Sequence, residues 1–220
     1  MLPRVLEPEV MDTPEEARAY NAMDHSEVNC RFVDDFLAAG PVAGEILDLG
    51  TGTALIPIEL CRRDSEAQVL AIDLSAAMLD LARCNVEIAS LMSQIMLDRV
   101  DGKELPYADG RFAAVMSNSI VHHIPEPPGV LREAWRVLSA GGLMFIRDLL
   151  RPEDDQSVRR LVDLYAAGAT EHQRQMFDDS LRAALSLEEI RALVSALGVP
   201  PESVQQTSDR HWTWSVRKGA

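Results

Sequence analysis

The spacing of apolar and polar positions changes repeatedly along the chain, and each change predicts an element. EILDL, 45–49, is a short apolar run around one acid, the pattern of a buried strand; after the glycines of GTGT, the apolar positions of ALIPIELCRR recur at helical spacing. Pro57 fits there because it falls in the first turn, where its amide has no partner within the helix. The alternation repeats. Strand QVLAID leads to helix SAAMLDLARCNVEIA, and strand QIMLDRV to the loop DGKELPYADG. Strand FAAVMSNS leads through IVHHIPEPP to helix VLREAWRVLSA, after which Gly-Gly opens strand LMFIRDLL. Two helices come first, PEEARAY and SEVNCRFVDDFLAAG, separated by NAMDHS. The second carries Val28, Phe32, Val33, Phe36 and Leu37 on one face and stops at Gly40. Residues 153–184 read as one or two amphipathic helices with Val158, Leu161, Val162 and Tyr165 on one side. SLEEIRALVSALG opens on a capping box, Ser186 to Glu189. SVQQTS and HWTWSV predict a final antiparallel pair with Trp212, Trp214 and Val216 on one face.

Strands alternating with helices over short loops predict an α/β fold, doubly wound, with a mostly parallel sheet covered on both faces and its last strand antiparallel. Seven strands are expected in a single domain, 1–220. It divides into an N-terminal helical cap (1–40), a core (45–150), a helical lid insertion (151–185) and a C-terminal helix and hairpin (186–220). A formal net charge of −14 argues against nucleic acid as a partner, because phosphate backbones need a basic surface. No apolar run is long enough for a membrane span or a signal peptide. The scattered, odd-numbered cysteines Cys30, Cys61 and Cys84 suggest buried thiols in a reduced, cytoplasmic chain. The pattern leaves monomer and homodimer equally open.

In such a sheet ligands bind beyond the carboxyl ends of the strands, and those ends carry Asp48 to Thr53, Asp73 to Ser75, Asp101, Ser117 to Ser119, and Arg147 to Asp148. A nucleoside triphosphate is disfavoured, since no lysine follows the glycine turn. A dinucleotide is weakened, since Leu55 stands where the third glycine of GxGxxG belongs. S-adenosylmethionine needs only close backbone approach, which Gly50 and Gly52 allow, and a carboxylate such as Asp73 for its ribose hydroxyls.

Four motifs in order, D48-L-G50-T-G52-T, D73-L-S75-A-A-M78-L79, D101-G-K-E-L-P-Y with F112-A-A-V115, and VLREAWRVLSAGGLMFIRD, resemble the class I S-adenosylmethionine-dependent methyltransferases over roughly residues 20–150. The chain is most similar to their small-molecule branch, which includes the ubiquinone/menaquinone-biosynthesis type enzymes. The resemblance implies a Rossmann-like sheet and a small-molecule methyl acceptor, with S-adenosylhomocysteine as the second product. It implies that Asp48, Gly50, Thr51 and Gly52 line the methionine part and ribose, and that Asp73 with Ser75 holds the ribose end. Leu74 and Met78 are implied against the adenine, Asp101 and Gly102 at its amino group, Asn118 and Ser119 near the sulfonium, and Tyr20 and Met23 on a closing segment. Asp73→Ala is expected to abolish cofactor binding with the fold intact. Two departures stand out: Ala54 replaces the third glycine of the family's pattern, and Ala113 replaces an acid of the fourth strand.

On the acceptor side, His122 and His123 follow the fourth strand at the ligand-binding end of the sheet and are candidate bases, as are Asp24 and His25; Asp24 could equally cap the next helix. An Arg147–Asp148 ion pair is expected to shape the pocket. Five scattered histidines show no metal-ligand spacing, so no metal is expected. Methylation of a protein or tRNA, a non-catalytic cofactor sensor and an NAD-dependent reductase remain as competing readings.

Overall fold

The computed structural model describes residues 2–7, 13–21 and 26–219. Helices α1 (Pro14–Asn21) and α2 (Ser26–Ala38) precede the alternating core. The core runs β1 (Glu45–Leu49), α3 (Leu55–Arg63), β2 (Gln68–Asp73), α4 (Ala76–Ala89), β3 (Ile95–Arg99), β4 (Phe112–Asn118), α5 (Pro127–Val137) and β5 (Leu138–Leu149). Three helices, α6 (Asp155–Tyr165), α7 (Glu171–Ala183) and α8 (Leu187–Ala196), lead to the hairpin β6 (Val204–Gln206) and β7 (His211–Arg217). The seven strands form one sheet in the order β3-β2-β1-β4-β5-β7-β6. β1 pairs in parallel with β2 and β4, β2 with β3, and β6 pairs antiparallel with β7. The order turns back on itself between β1 and β4. In open α/β sheets a crevice forms there, at the strands' carboxyl ends.

The chain clusters into two compact units. One comprises the glycine turn, its strands and helices: residues 10–118, 128–146 and 215–220. Its core joins Phe32, Val33 and Phe36 of α2 to Ile46, Ala114, Met116 and Phe145 of the sheet. The ring of Phe145 stands edge-to-face with those of Phe32 and Phe36, centroids 5.2 and 5.7 Å apart. Leu37, expected on this face, is 39% exposed; five positions past Phe32, it is turned well off the stripe. The other unit comprises 1–9, 119–127 and 147–214, with a core of Leu149, Val158, Leu161, Val162 and Leu181. Tyr165 leaves that core: its hydroxyl donates to Asp209 and the Arg210 guanidinium lies over its ring. Trp212 and Trp214 are buried, but so is Thr213 between them. Side chains alternate between the two faces of a strand, so β7 is covered on both faces there.

The helix expected over 130–140 instead spans 127–137. It starts early because Pro127 and Pro128 suit a first turn that has no amide partners to lose. It stops early because Lys218 takes its end: the ammonium donates to the carbonyls of Trp135 and Leu138 at 2.6 and 2.7 Å. The Gly-Gly pair therefore sits within β5, where the Gly141 amide donates to the Lys218 carbonyl and the Lys218 amide to that of Gly142. Cys61 is buried as expected, but Cys84 is exposed. The capping box of α8 is present in both directions between Ser186 and Glu189. Ser186→Ala is accordingly expected to cost about 1 kcal/mol, read as a lower urea midpoint at unchanged slope.

Candidate functional site

The turn after β1 is fixed by its backbone. Gly50 and Gly52 have φ of 73° and 54°, the left-handed region that glycine enters without strain. The amides of Gly50 and Thr51 both donate to the Ile72 carbonyl, at 2.9 and 2.8 Å. Ala54, where the family pattern has glycine, is not a helical residue. It is the N-cap of α3, at φ 61° and fully buried, so an alanine holds a conformation that glycine adopts more cheaply.

Beside the turn lies a cleft of about 350 Å³ of free space, its open mouth included, lined by Asn29, Asp48, Gly50, Thr51, Thr53, Leu55, Ile56 and Asn118. Four buried polar atoms on its wall make no hydrogen bond: Asp48 Oδ2, Thr51 Oγ1, Thr53 Oγ1 and Asn118 Oδ1. Asp48 is 3% exposed, and burial pushes its carboxyl up to about 7. The nearby Thr51 hydroxyl offsets part of that rise, short of hydrogen-bonding geometry, and Asp73 adds to it. Thr53 belongs to the strand end that the sequence marked, whereas Asn29, Leu55 and Ile56 were not expected as ligands. Asn29 carried a legible signal, a polar residue three and four positions before Phe32 and Val33 on the buried face of α2.

Asp73 ends β2 with both oxygens engaged. Oδ2 accepts the Gly52 amide at 2.8 Å and Oδ1 the Ser75 amide at 2.9 Å. The carboxylate is thus a brace of the glycine turn as well as a candidate ribose ligand. The Ser75 hydroxyl caps α4, accepting the Met78 amide at 3.1 Å, and both residues are buried. Leu74 is half-buried, its carbonyl accepting from Arg99. Asp101 accepts the Lys103 amide at 2.9 Å and faces its ammonium at 3.5 Å. Gly102 packs so closely that a Cβ would stand 2.8 Å from Leu49 and 3.2 Å from Val130. Asn85 of α4, another residue the sequence did not single out, donates to the Thr53 carbonyl and to Asn21 of α1, tying that helix to the turn. Of the N-terminal candidates, Tyr20 belongs to α1, its side chain outside the description. Met23, Asp24 and His25 lie outside the described residues.

The other unit holds His122 and His123. Ser119, at φ 60°, donates its amide to the Arg147 carbonyl, and a 3-10 turn over Val121–His123 follows. Asp148 pairs with His122 at 2.5 Å (Oδ1 to Nδ1), and its other oxygen accepts the Val121 amide at 2.5 Å. Asp148 therefore serves the imidazole, while Arg147, expected as its ion-pair partner, donates to Thr213. Burial opposes charge on both partners of the Asp148–His122 couple, but their mutual attraction outweighs it: Asp148 is held below the usual carboxylate range and His122 above the usual histidine range. Glu7, from the N-terminal segment, faces His122 Nε2 at 3.5 Å and His123 Nδ1 at 3.1 Å. Nothing in the sequence announced it. The three donor atoms lie within 4.8 Å of one another, so the residues group as metal ligands do, although their spacing along the chain gave no sign of it.

No helix among the described residues is long and apolar enough to cross a membrane. Residues 47–146 match the model of the methyltransferase domain family. A 27-O-demethylrifamycin SV methyltransferase of Amycolatopsis mediterranei is 28% identical over 83% of this chain and 64% of its own. A ubiquinone/menaquinone biosynthesis C-methyltransferase of Desulfotalea psychrophila is 34% identical over 52% of this chain and 45% of its own. The chain thus spans about half to under two thirds of these relatives' length. The plantazolicin methyltransferase BpumL, solved with a monoazolic desmethylPZN analogue and S-adenosylhomocysteine, superposes with a TM-score of 0.69 at 15% identity, covering 94% of this chain and 91% of that one. Strand order, glycine turn and family match agree in pointing the same way: over residues 47–146, a little under half of its length, the chain is similar to the methyltransferase domain family.

Proposed function

We propose that the chain transfers a methyl group from S-adenosylmethionine to a small-molecule acceptor. The observation that carries this reading is the convergence of four unpaired, buried polar atoms on one cleft at the ends of β1 and β4. Each unmade bond costs about 1–3 kcal/mol, so the wall suits a ligand rich in polar groups. Asp48 Oδ2 and Asn118 Oδ1 accept, which fits an ammonium; the hydroxyls of Thr51 and Thr53 can donate, which fits a carboxylate. An amino-acid end satisfies both demands. A pyrophosphate does not, because Asp48 would repel it and the wall offers no cation.

When bound, the cofactor supplies an electrophilic methyl group on a sulfonium. The chain's part is to hold and orient. Asp48, Thr51, Thr53 and Asn118 take the amino-acid end, and Asp73, braced by two amides, takes the ribose hydroxyls. Leu74, Met78, Asp101 and Gly102 take the adenine side. The formal charge of −14 favours a small acceptor over RNA.

Calorimetric titration with S-adenosylhomocysteine, with NADH as control, tests the reading. Binding of the first alone, in the micromolar range, is expected; binding of NADH alone would replace it with a reductase. The bracing of Asp73 alters what its variants should do. Asp73→Ala strands the Gly52 and Ser75 amides and is expected to cost about 1–3 kcal/mol of stability as well as cofactor affinity. Asp73→Asn keeps an acceptor for one amide, so it should lose affinity with a smaller drop in urea midpoint. Unchanged affinity in Asp73→Asn would refute the ribose assignment.

A further inference from the structure

Within the unit of residues 1–9, 119–127 and 147–214, three side chains turn donor atoms towards one another. Glu7 Oε1 stands 3.5 Å from His122 Nε2 and 3.1 Å from His123 Nδ1, so one oxygen faces two imidazole nitrogens. The longer separation is loose for an N–H···O hydrogen bond, whose usual range ends at about 3.2 Å. Both separations are close to the edge of a ligand tetrahedron, about 3.4 Å when each bond to the ion is about 2.1 Å. Glu7, His122 and His123 are 11%, 3% and 19% exposed, so the donors are shielded and His123 leaves the widest opening.

The surroundings are those of metal ligands. An imidazole that binds a metal through one nitrogen commonly gives its other N–H to a carboxylate. Asp148 holds His122 in that way, 2.5 Å from Nδ1, which directs the Nε2 lone pair to the Glu7 side. Asp148 is fixed in turn by the Val121, His122 and Leu149 amides. Glu7 has its own support. The Ser180 hydroxyl stands 3.1 and 3.2 Å from its two oxygens. Arg4 of the same segment donates to the carbonyls of Ala183, His122 and Ile124 at 2.7, 3.1 and 3.0 Å, and the Val5 amide donates to that of Arg182. The carboxylate is thus held against the imidazoles before any ion arrives. Two buried carboxylates, Glu7 and Asp148, flank His122, and a dication offsets their charge.

We propose that Glu7, His122 and His123 bind a divalent transition-metal ion. Two imidazole nitrogens and one carboxylate oxygen suit zinc, with water at the fourth position. The proposal is independent of the methyltransferase reading. In the metal-free chain His122 keeps a proton above the ordinary histidine range, and the ion displaces it from Nε2 to solvent. The two rings are stacked, centroids 4.1 Å apart and planes inclined by 34°. A metal lies near the plane of each ring that binds it, so loading turns the His123 ring, the more exposed one, about its Cβ–Cγ bond. That torsion is soft. The ion then ties the N-terminal segment to the 3-10 turn Val121–His123.

Calorimetric titration of the full chain with zinc sulfate, after a chelator has stripped it of metal, tests the site. One ion per chain is expected, bound in the micromolar range or tighter. Magnesium chloride, whose ion prefers oxygen ligands, should not compete. Glu7→Gln and His123→Asn should each weaken zinc by at least about 100-fold, the upper end of the cost of removing an outer-shell partner. His172→Asn changes an exposed histidine of α7 outside the group and should leave binding unchanged. Absence of zinc binding in the wild type overturns the proposal. So does unchanged affinity in Glu7→Gln or His123→Asn, or an equal loss in His172→Asn, either of which would assign the ion to the surface. The visible spectrum of the cobalt(II)-loaded wild type decides the matter even where a variant fails to fold. The strong bands of a four-coordinate ion are expected, and the weak bands of a six-coordinate ion overturn the site.

Discussion

Asp48→Asn is expected to make the ligand-free chain more stable at pH 8 and to weaken its hold on the cofactor. Asp48 lies inside the cleft wall, 3% exposed, with one carboxylate oxygen unpaired. Burial lifts its carboxyl from the ordinary 3.8 to about 7. A folded-state value above the unfolded one means the folded chain keeps a proton that the unfolded chain has released. The stability linked to that proton is full below about pH 4 and is lost as pH rises to 7. Above that, the folded chain carries a buried charge costing about 4 kcal/mol. Asparagine keeps the shape without the charge, so urea midpoints for the variant should exceed wild type at pH 8 and match it more nearly at pH 5. Cofactor binding should show the converse. A cationic group entering the cleft stabilises the ionised carboxylate, so wild-type affinity for S-adenosylhomocysteine should rise between pH 5 and 8. The variant should bind at least about tenfold more weakly at pH 8, with a flatter profile. A variant less stable than wild type at pH 8 would mean that the carboxylate is satisfied in the free chain, and the cleft argument would fail with it.

The same residue shows how far the sequence could be read. A buried parallel strand is a continuous apolar run, so an acid at the fourth position of EILDL, next to glycines, was visible as a site. The four motifs in order pointed to the strand ends around the glycine turn, but not to Asn29 of α2 or Asn85 of α4. The double duty of Asp73 was half visible: an Asp two residues before a Ser suggests a side chain turned back onto its own backbone. Its bond to the Gly52 amide spans two strands and leaves no trace in spacing. Glu7 was invisible for a similar reason. It belongs to no periodic element, and the segment is placed by long-range bonds: Arg4 to four carbonyls, the Val5 amide to that of Arg182, and the Ser180 hydroxyl to Glu7 itself. The expected Arg147–Asp148 pair failed because adjacent residues on a strand point to opposite faces. The carboxylate serves the 3-10 turn after β4, and the guanidinium serves β7.

A second large effect is expected in acid. His211 is buried in the final hairpin, its Nδ1 2.9 Å from the Ser208 hydroxyl. Burial first, then the cations Arg210 and Arg147, push its midpoint down from 6.5 to about 4. Here the folded value is below the unfolded one, so the unfolded chain takes up a proton that the folded chain refuses. Stability is intact above pH 6.5, falls as pH drops towards 4, and is lower by about 3 kcal/mol beneath that. His122 acts in the opposite sense: its midpoint is raised, so its contribution is full below 6.5 and is lost as pH rises through the raised value. The two histidines partly mask each other in the wild type, and single variants separate them. His211→Asn keeps a polar partner for Ser208 and removes the titration. Its urea midpoint should fall less, or rise, between pH 7 and 4.5 relative to wild type, whatever its absolute stability. His122→Asn should show the reverse, a steeper fall over the same interval. Equal slopes in wild type and His211→Asn would mean that His211 is protonated in the folded chain, and that the hairpin opens to water far more readily than its two buried tryptophans imply.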